Sequence, residues 1–387
     1  MESGMDATRI TLLALDLFGS PGWSADKEIQ RLYALSNHAG RHYRRIILSK
    51  RHGGQRLVLA PDYLLKTVQR NILKNVLSQF PLSPFATAYR PGCPIVSNAQ
   101  PHCQQQQILK LDIENFFDSI SWLQVWRVFR QAQLPRNVVT MLTWICCYND
   151  ALPQGAPTSP AISNLVMRCF DERIGEWCQA RGITYTRYCD DMTFSGHFNA
   201  RQVKNKVCGL LAELGLSLNQ RKSCLIAACK RQQVTGIVVN HKPQLAREAR
   251  RALRQEVHLC QKYGVISHLS HRGELDPSGD LHAQATAYLY ALQGRINWLL
   301  QINPEDEAFQ QARESVKRCW LQGKKSVRQT FLPDRLGENY CNCAAISGQR
   351  ASKSSVGRYL NSLRTKRDSI PSQKARIWLA SRVSSVA

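Results

Sequence analysis

Acidic residues are scarce in this sequence. Its 387 residues include 28 Asp and Glu against 52 Lys and Arg, which gives a formal net charge of +24 at pH 7. A surface charged only for solubility is one explanation. However, half of the excess lies in the last third of the chain, where residues 241–387 hold 24 basic and 12 acidic residues. So uneven a positive charge points to a polyanionic partner such as nucleic acid.

Long apolar runs are also missing, which excludes a membrane-spanning helix. The apolar stretch from Ile10 to Phe18 follows acidic residues and is interrupted by Asp16, so it lacks the basic flank and cleavage site of a signal peptide. The 14 cysteines are scattered rather than spaced as a disulfide framework, and Cys341 and Cys343 form only half of a zinc motif. We therefore expect a cytoplasmic protein with no membrane partner.

Two adjacent aspartates, Asp190 and Asp191, are the first candidates for a catalytic or metal-binding site. Asp190 and Asp191 lie between two β-prone runs within residues 184–196, a pattern that predicts a hairpin with both aspartates at its turn. A solvated Asp-Asp turn is the ordinary interpretation. Upstream, the apolar run from Ile108 predicts a strand that ends at Asp112 and supplies a third carboxylate. Three aspartates on two adjacent strands are what a two-metal phosphoryl-transfer site needs, and Mg²⁺ prefers oxygen ligands of this kind.

The rest of the chain alternates predicted helices with short strands. Residues 1–50 look helical, and residues 55–61 are predicted to be a strand closed by proline. Further helices are predicted at residues 62–77, 122–130, 138–147, 200–214, 244–260, 280–300 and 306–320. Residues 152–164 are predicted to open another helix, which runs to about residue 180. A strand is expected at residues 234–240. Beyond Gly323 the composition becomes rich in Ser, Lys and Arg, with a basic patch at residues 364–367.

Several polar residues in these segments are candidates for phosphate or nucleotide contacts. Arg70 lies in a basic stripe, with one lysine four residues before it and another four residues after it. Arg90 lies in a turn-rich loop that can approach a triphosphate. Gln154 and Gly155 precede a predicted helix, whose free backbone N–H groups can hold a nucleotide. A charged helix face, a turn and a Gly/Pro-rich helix start are the ordinary alternatives.

The order of these motifs resembles the palm of reverse transcriptases. The strand ending at Asp112 and the Phe116-Phe117 pair are followed by QGAPTSPAISN, then by YCDD, then by an Asn-Gln-Arg-Lys turn. Two further elements resemble those of bacterial retron reverse transcriptases: Asn98 and His102 match an NAxxH element, and residues 234–236 match a VTG element. The resemblance covers roughly residues 25–320.

The resemblance implies roles for the residues around the aspartates. Asp112, Asp190 and Asp191 would bind two Mg²⁺ ions, with the backbone carbonyl of Ile113 as an additional ligand. Lys222 would neutralise or protonate the leaving pyrophosphate.

The resemblance also implies contacts with the incoming nucleotide. Phe117 would stack under the deoxyribose and reject a 2′-OH, and Gln154 and Gly155 would lie beside the nucleotide. Arg70 and Arg90 would hold the triphosphate.

Residues predicted to contact RNA lie in the two retron elements and on one basic helix face. They are Asn98, His102, Val234, Thr235, Gly236, Arg247, Arg250, Arg251 and Arg254. In the predicted helix 244–260, a set of apolar residues would face the palm and leave the arginines on an adjoining face. That apolar set is Leu245, Ala249, Ala252, Leu253 and Val257.

The fold implied is an α/β right-hand polymerase. Fingers and palm, with an antiparallel palm sheet, would occupy residues 1–240, an α-helical thumb residues 241–322, and a basic C-terminal extension residues 323–387. The activity implied is that of an RNA-directed DNA polymerase that uses dNTPs. In retrons, one structured non-coding RNA is both template and primer, and synthesis from the 2′-OH of an internal guanosine gives branched RNA-linked single-stranded DNA (msDNA). This product commonly works with an effector protein in anti-phage defence.

Two alternatives come from different classes. A group II intron or abortive-infection type reverse transcriptase would share the palm motifs, but the NAxxH and VTG elements weigh against it. A non-catalytic RNA-binding scaffold that restrains an effector would keep the positive charge, but the intact Asp112, Asp190 and Asp191 argue against a silent site.

Overall fold

The described part of the chain comprises residues 2–20, 22–49 and 53–330 of a computed structural model. It divides into two compact units, Met1–Arg247 with Gln301–Pro304 and Glu248–Leu300 with the residues from Glu305 onward. Cys341, Cys343 and the basic patch at residues 364–367 lie outside the described residues.

Helices and strands alternate along the first unit. In chain order they are α1 (Glu2–Ala14), α2 (Ala25–Asn37), β1 (Tyr43–Ser49), β2 (Gln55–Pro61), α3 (Tyr63–Asn75), α4 (Ile95–Ala99), β3 (Gln107–Asp112), α5 (Trp122–Arg130), α6 (Arg136–Cys146), α7 (Ser159–Val166), α8 (Arg168–Gln179), β4 (Thr184–Tyr188), β5 (Asp191–Gly196), α9 (Ala200–Glu213), β6 (Cys224–Ala227), β7 (Gln233–Val234) and β8 (Ile237–Val238).

The later elements are helical in the described residues. They are α10 (Arg247–Tyr263), α11 (Val265–His271), α12 (Leu281–Ile302) and α13 (Glu307–Thr330). In the second unit the half-buried carboxylate of Glu256 accepts a hydrogen bond from the Tyr288 hydroxyl at 3.0 Å and pairs with Arg295. No helix among the described residues is both long and apolar enough to cross a membrane.

A four-stranded antiparallel sheet in the order β4-β5-β3-β6 is the centre of the first unit. Because side chains alternate along a strand, one face of this sheet carries Leu111, Met192 and Phe194, which are buried in the same core as residues of α8 and α9. The opposite face carries Asp112 and Asp191 at one end of the strands. The predicted strand ending at Asp112 and the predicted hairpin around Asp190 are confirmed.

The N-terminal region differs from the prediction. Residues 1–50 were expected to be helical throughout, but Tyr43–Ser49 forms β1 and pairs antiparallel with β2 from Tyr43 opposite Pro61 to Ser49 opposite Gln55. The strand was not predicted, because buried and exposed side chains alternate only weakly along β1 and the apolar Ile47 is exposed. The helix expected to reach about residue 180 is likewise two helices, α7 and α8, which meet at Met167.

Helix α10 also corrects an expected packing face. It begins at Arg247 rather than at residue 244, and its buried positions are Leu253, Val257 and Cys260. Ala249 and Ala252, which were expected to be buried, are exposed. The buried positions are spaced i, i+4 and i+7, so the apolar stripe is narrower than predicted.

The NAxxH element lies in the protein interior. It covers α4 and a short 3-10 helix, Gln100–His102. His102 is fully buried, with its Nδ1 2.6 Å from the Ser195 hydroxyl on β5 and its Nε2 2.8 Å from the Thr186 hydroxyl on β4. A single ring therefore spans two neighbouring strands, which fastens this segment to the polar face of the sheet.

The VTG element belongs to the same network. The Asn98 side-chain amide donates to the Thr235 hydroxyl at 3.5 Å, and Thr235 and Gly236 form the turn between β7 and β8 with positive φ at both residues. Asn98, His102, Val234 and Thr235 are thus buried, which speaks against their predicted direct contact with RNA. An RNA contact at Gly236, which is exposed, stays a prediction.

Burial of His102 gives the fold a specific pH dependence. Burial lowers the pKa of His102 to about 4 from 6.5. Between these values the unfolded chain binds a proton that the folded chain does not, so stability should fall as pH drops from about 6.5 towards 4. The full loss is about 3 kcal/mol, at about 1.4 kcal/mol for each unit by which the two pKa values differ.

Urea unfolding at pH 7.5 and pH 5 tests this expectation. A His102→Gln variant should be less stable than the wild type at pH 7.5 but should lose less stability between the two pH values. His197→Gln, at an exposed histidine, is the matched control and should keep the wild-type pH dependence. Identical pH dependence in the wild type and the His102→Gln variant would show that another group controls it.

Candidate active site

The sheet brings the three aspartates together at one end. Cys189 and Asp190 form the two-residue connection between β4 and β5. Asp191, the first residue of β5, lies directly opposite Asp112 in the β3-β5 register. The backbone N–H of Ile113 donates to the carbonyl oxygen of Asp190 at 3.1 Å. The turn is therefore attached to the residue that follows Asp112, so its position relative to β3 is set by the backbone.

The connection has a strained backbone. Cys189 has a φ of 60°, in the left-handed region that non-glycine residues seldom adopt. Its side chain is buried, and the hydroxyl of Tyr89 donates to its sulfur at 3.5 Å. Tyr89 itself has a φ of 57°. Strain of this kind persists only where the surroundings hold it, and it concentrates at functional sites.

Burial and mutual repulsion raise the pKa of two of the carboxyl groups. Burial and then the charge of Asp190 raise the pKa of Asp191 to about 6, although Lys110 and Lys222 act in the opposite direction. Burial and then the charge of Asp112 raise the pKa of Asp190. Like charges are therefore concentrated in a poorly solvated place, a situation that a bound cation relieves.

Lys222 reaches the aspartates from the turn after α9. The backbone N–H of Asn219 donates to the Asp112 carbonyl at 2.8 Å, and the N–H of Lys222 donates back to the Asn219 carbonyl at 3.2 Å. The Lys222 Nζ lies 2.8 Å from Asp112 Oδ2. Partial burial lowers the pKa of Lys222, but the hydrogen bond and the charge of Asp112 outweigh it, so the pKa is raised and the ammonium form is favoured.

The donor chemistry of this site suits a hard divalent cation. Asp112, Asp190 and Asp191 offer carboxylate oxygens, which are the ligands that Mg²⁺ prefers. As arranged, however, no three His, Cys, Asp or Glu side chains within residues 7–20, 22–49 and 53–318 surround a single metal position. The Lys222 ammonium is instead the cation that neutralises Asp112.

The loop before α7 lies against the β1-β2 hairpin. The backbone N–H of Leu59 on β2 donates to the Gln154 carbonyl at 2.8 Å. Gly155 has a φ of 126°, and a Cβ there would lie 2.6 Å from the Leu59 carbonyl oxygen and 2.9 Å from Val58 Cγ1. Only glycine fits this position, since any side chain would meet the backbone of β2.

Arg56 is a basic residue on the strand that contacts this loop, and it was not among the residues predicted from the sequence. It lies on β2 two positions before Val58, so both side chains share one face of the strand. Because Val58 is the side chain nearest to Gly155, Arg56 lies on the face turned towards that loop. A basic residue just after Gly53-Gly54, in a strand that follows a tight turn, was the available signal.

The remaining predicted nucleotide contacts lie in different places. Phe117 is half-buried, with its ring centroid 5.5 Å from that of Phe116. Arg90 is exposed in its loop and donates to the Ser83 carbonyl at 3.3 Å. Arg70 is exposed on α3, where the buried neighbour Gln69 donates from its side-chain amide to the Ile145 carbonyl of α6. The nucleotide contacts of Phe117, Arg90 and Arg70 stay predictions.

Comparison with known proteins identifies the family. Residues 48–245 match the family described as reverse transcriptase (RNA-dependent DNA polymerase). The retron Ec86 reverse transcriptase of Escherichia coli is 35% identical over 219 residues, which cover 55% of this chain and 68% of that protein. The retron Mx65 reverse transcriptase of Myxococcus xanthus is 30% identical over 291 residues, which cover 67% of this chain and 68% of that protein. The chain belongs to the bacterial retron reverse transcriptases.

Membership of this family confirms the predicted right-hand polymerase fold and the predicted activity. The reverse transcriptase is an RNA-directed DNA polymerase, and enzymes of this family generally depend on a divalent metal ion. Among solved structures, apo telomerase from Candida tropicalis superposes with a TM-score of 0.44 at 9% identity, over 73% of this chain and 58% of that chain. That score is too low to define the fold by itself.

A buried ion pair supports the turn between β4 and β5 of the reverse transcriptase. Arg187 on β4 and Asp171 on α8 are both fully buried and form a bidentate salt bridge, with Nε–Oδ1 at 2.8 Å and Nη2–Oδ2 at 2.6 Å. Arg187 Nη1 donates to the Cys189 carbonyl at 2.8 Å and to Asn164 Oδ1 on α7 at 3.2 Å. The Tyr185 hydroxyl also donates a hydrogen bond to Asp171 Oδ1 at 2.8 Å. The guanidinium therefore joins the turn to α7 and α8.

The arginines of α10 lie mostly on the surface of the reverse transcriptase. Arg247, Arg251 and Arg254 are exposed, and Arg250 is half-buried. The Arg254 guanidinium lies 5.9 Å from the ring centroid of Phe309 on α13. RNA binding by these four arginines stays a prediction, but their exposure is compatible with it.

Removal of one charge from the buried pair should be costly. An Asp171→Asn substitution leaves the Arg187 guanidinium buried without a full counter-charge, so we expect a loss of about 3–5 kcal/mol in unfolding free energy. The paired change Asp171→Leu with Arg187→Met removes both charges and should cost less, because no charge then remains buried. Thermal and urea unfolding measure both. Equal losses in the single and double variants would show that packing, rather than the charge pair, matters at this position.

Proposed function

We propose that this reverse transcriptase copies part of a structured non-coding RNA that serves as both template and primer. Synthesis starts from the 2′-OH of an internal guanosine and gives branched RNA-linked single-stranded DNA, or msDNA. The product acts with an effector protein in anti-phage defence. The observation that carries the catalytic part is the direct pairing of Asp112 with Asp191 in the sheet, next to Asp190 and within reach of Lys222. The similarity to retron enzymes supports the choice of substrate.

The residues of the site have separable tasks in this proposal. Asp112, Asp190, Asp191 and the Ile113 carbonyl would hold two Mg²⁺ ions, which supply charge neutralisation for the attacking hydroxyl and the leaving pyrophosphate. Lys222 carries a stable positive charge beside Asp112 and neutralises or protonates the pyrophosphate. Cys189, held by Arg187 and Tyr89, keeps Asp190 and Asp191 in position.

Selection of the nucleotide falls to the neighbouring loops. Gln154 and Gly155 lie beside the incoming dNTP, and the close contact of Gly155 with β2 keeps this loop against the hairpin that carries Arg56. Arg56 and Arg90 are the basic side chains best suited to the triphosphate, whereas Arg70 on α3 is the less direct candidate. Phe117 lies under the sugar, where its ring leaves no room for a 2′-OH.

Coexpression with the DNA that flanks the reading frame tests the proposed product. We expect single-stranded DNA that stays attached to RNA on a denaturing gel and is released by an enzyme that cleaves 2′,5′-branches. The double variant Asp190→Asn with Asp191→Asn should still bind the RNA but yield no DNA, because the catalytic turn loses its two charges. DNA synthesis by this variant would reject the site. Unbranched DNA from the wild type would favour a group II intron or abortive-infection type of enzyme.

Sugar selection by Phe117 is tested by opening the space under the ribose. Phe117→Ala should admit ribonucleotides, because the ring that would clash with a 2′-OH is gone. Phe117→Tyr keeps the ring and should keep the preference for dNTPs. Incorporation of dNTPs and rNTPs on one template measures the ratio, and an unchanged ratio in Phe117→Ala would assign the ring to core packing alone.

RNA binding by α10 is tested by removing positive charge from its surface. Arg247→Ala, Arg250→Ala and Arg254→Ala together should weaken binding of the structured RNA. They should also lower the slope of log affinity against log salt by about one unit per lost phosphate contact. The matched triple Arg201→Ala, Lys204→Ala and Lys206→Ala on α9 should change neither quantity. If a salt titration of the α10 variant matches the wild type while circular dichroism shows an intact fold, α10 does not bind the RNA.

A further inference from the structure

A surface rich in tryptophan and arginine lies on α5 and α6 and includes none of the residues assigned above. The sequence from residue 119 to residue 149 contains no Asp, Glu or Lys, but it contains three arginines and three tryptophans. The next acidic residue, Asp150, follows the end of α6. The arginines of α5 and α6 therefore have no carboxylate on their own helices.

The two helices pair these side chains in an antiparallel register. The rings of Trp122 and Trp144 have centroids 5.4 Å apart, and the Trp126 indole N–H donates to the Thr140 hydroxyl at 3.4 Å. From the first contact to the second, the residue number rises by four on α5 and falls by four on α6, as expected for antiparallel helices. The same register brings Arg130, the last residue of α5, next to Arg136, the first residue of α6. One end of the surface is therefore aromatic and the other end is cationic.

This surface is open to solvent. Trp144 is 41% exposed and Leu123 is 47% exposed, while Arg127, Arg130 and Arg136 are also exposed. The other sides of the two helices are buried, as shown by residues such as Val128 on α5 and Val139 on α6. The Arg130 guanidinium lies 5.4 Å from the ring centroid of Trp126, so the cationic end continues directly from the aromatic end.

We propose that this surface, the Trp-Arg face, binds single-stranded RNA. It consists of Trp122, Leu123, Trp126, Arg127, Arg130, Arg136, Thr140 and Trp144. Bases would stack on the exposed edge formed by Trp144 and Leu123, and the phosphates would lie along the arginines. The rise from Trp122 to Arg130, and likewise from Arg136 to Trp144, is about 12 Å, which corresponds to roughly three to four stacked nucleotides at about 3.4 Å each.

Charge decides between RNA and a protein as the occupant. Tryptophan and arginine are also frequent in protein interfaces, but those depend on complementary acidic or apolar surfaces. Here three arginines gather without any acidic neighbour in the stretch, on a protein that uses RNA as its template. The proposal depends on RNA-directed polymerisation only, and it holds for either a branched or an unbranched product.

Photocrosslinking locates the RNA on the surface. A 12-nucleotide oligouridylate containing 4-thiouridine is irradiated with the full-length protein, and the adducts are mapped by mass spectrometry. We expect adducts on peptides that contain Trp122, Trp126 or Trp144. Trp144→Phe should keep the adducts because it keeps a ring, and Arg130→Glu with Arg136→Glu should remove them.

Fluorescence anisotropy with the same oligouridylate measures affinity across a salt titration. Arg130→Glu with Arg136→Glu should weaken binding about tenfold or more and lower the salt slope by about 1.4, since each single-strand phosphate contact contributes about 0.7. The matched control is Arg181→Glu with Arg201→Glu, which changes the charge equally and disrupts another tryptophan-arginine pair, Arg181 over Trp177 at 4.4 Å. The control should keep the adducts and lose little affinity.

Two results would overturn the proposal. Adducts that persist in the Arg130→Glu with Arg136→Glu variant, or equal losses of affinity in that variant and the control, would show that the Trp-Arg face is not an RNA site. Extension of a preformed primer-template by the same preparations separates this outcome from a failure of the proposed function. Normal extension with no adduct on the face rejects this inference alone, whereas adducts on the face without extension by the wild type reject only the polymerase assignment of the site.

Discussion

Repulsion between buried carboxylates is the constraint on which the aspartate-bearing end of the central sheet depends. Asp112 and Asp191 lie opposite each other in one sheet, and Asp190 precedes Asp191 in a two-residue turn. Burial and the charge of neighbouring carboxylates raise the pKa of Asp190 and Asp191, so both side chains lose their protons less readily than exposed aspartates. Lys222 offsets part of this cost from the turn after α9. In the proposed mechanism a divalent cation would neutralise the same concentration of negative charge.

The surrounding fold holds the turn against this repulsion through polar groups placed inside the protein. Arg187 uses Asp171 as its counter-charge and reaches the Cys189 carbonyl, so the turn is tied to two helices. On the other face of the sheet, His102 bridges β4 and β5 through two hydroxyl groups. Satisfied polar networks of this kind specify one arrangement more strictly than apolar packing does, because each partner that moves leaves a buried group unpaired. The NAxxH and VTG elements therefore contribute to the architecture on the face of the sheet that carries Asp112 and Asp191.

Local sequence patterns predicted the elements whose conformation is set by residues within the same short segment. The hairpin around Asp190 and the strand ending at Asp112 were predicted because alternation and turn residues are local signals. The strand Tyr43–Ser49 was missed because its pairing with Gln55–Pro61, rather than its own alternation, makes it a strand. Arg56 was overlooked for a related reason. The contact that brings its strand to Gly155 joins segments almost one hundred residues apart.

By itself the sequence determined the chemistry: three aspartates, a returning lysine, an aromatic pair and a strong positive charge, in an order that resembles one family of polymerases. These are properties of residue types and spacing, and they survive without coordinates. Only the tertiary structure decided which polar residues are inside. Asn98 and His102 look like surface loop residues in the sequence, yet they are buried, because burial depends on what the rest of the chain packs against them. The Trp-Arg face is likewise complete only after two helices pair in one register, since α6 adds Arg136 and Trp144 to the tryptophans and arginines of α5.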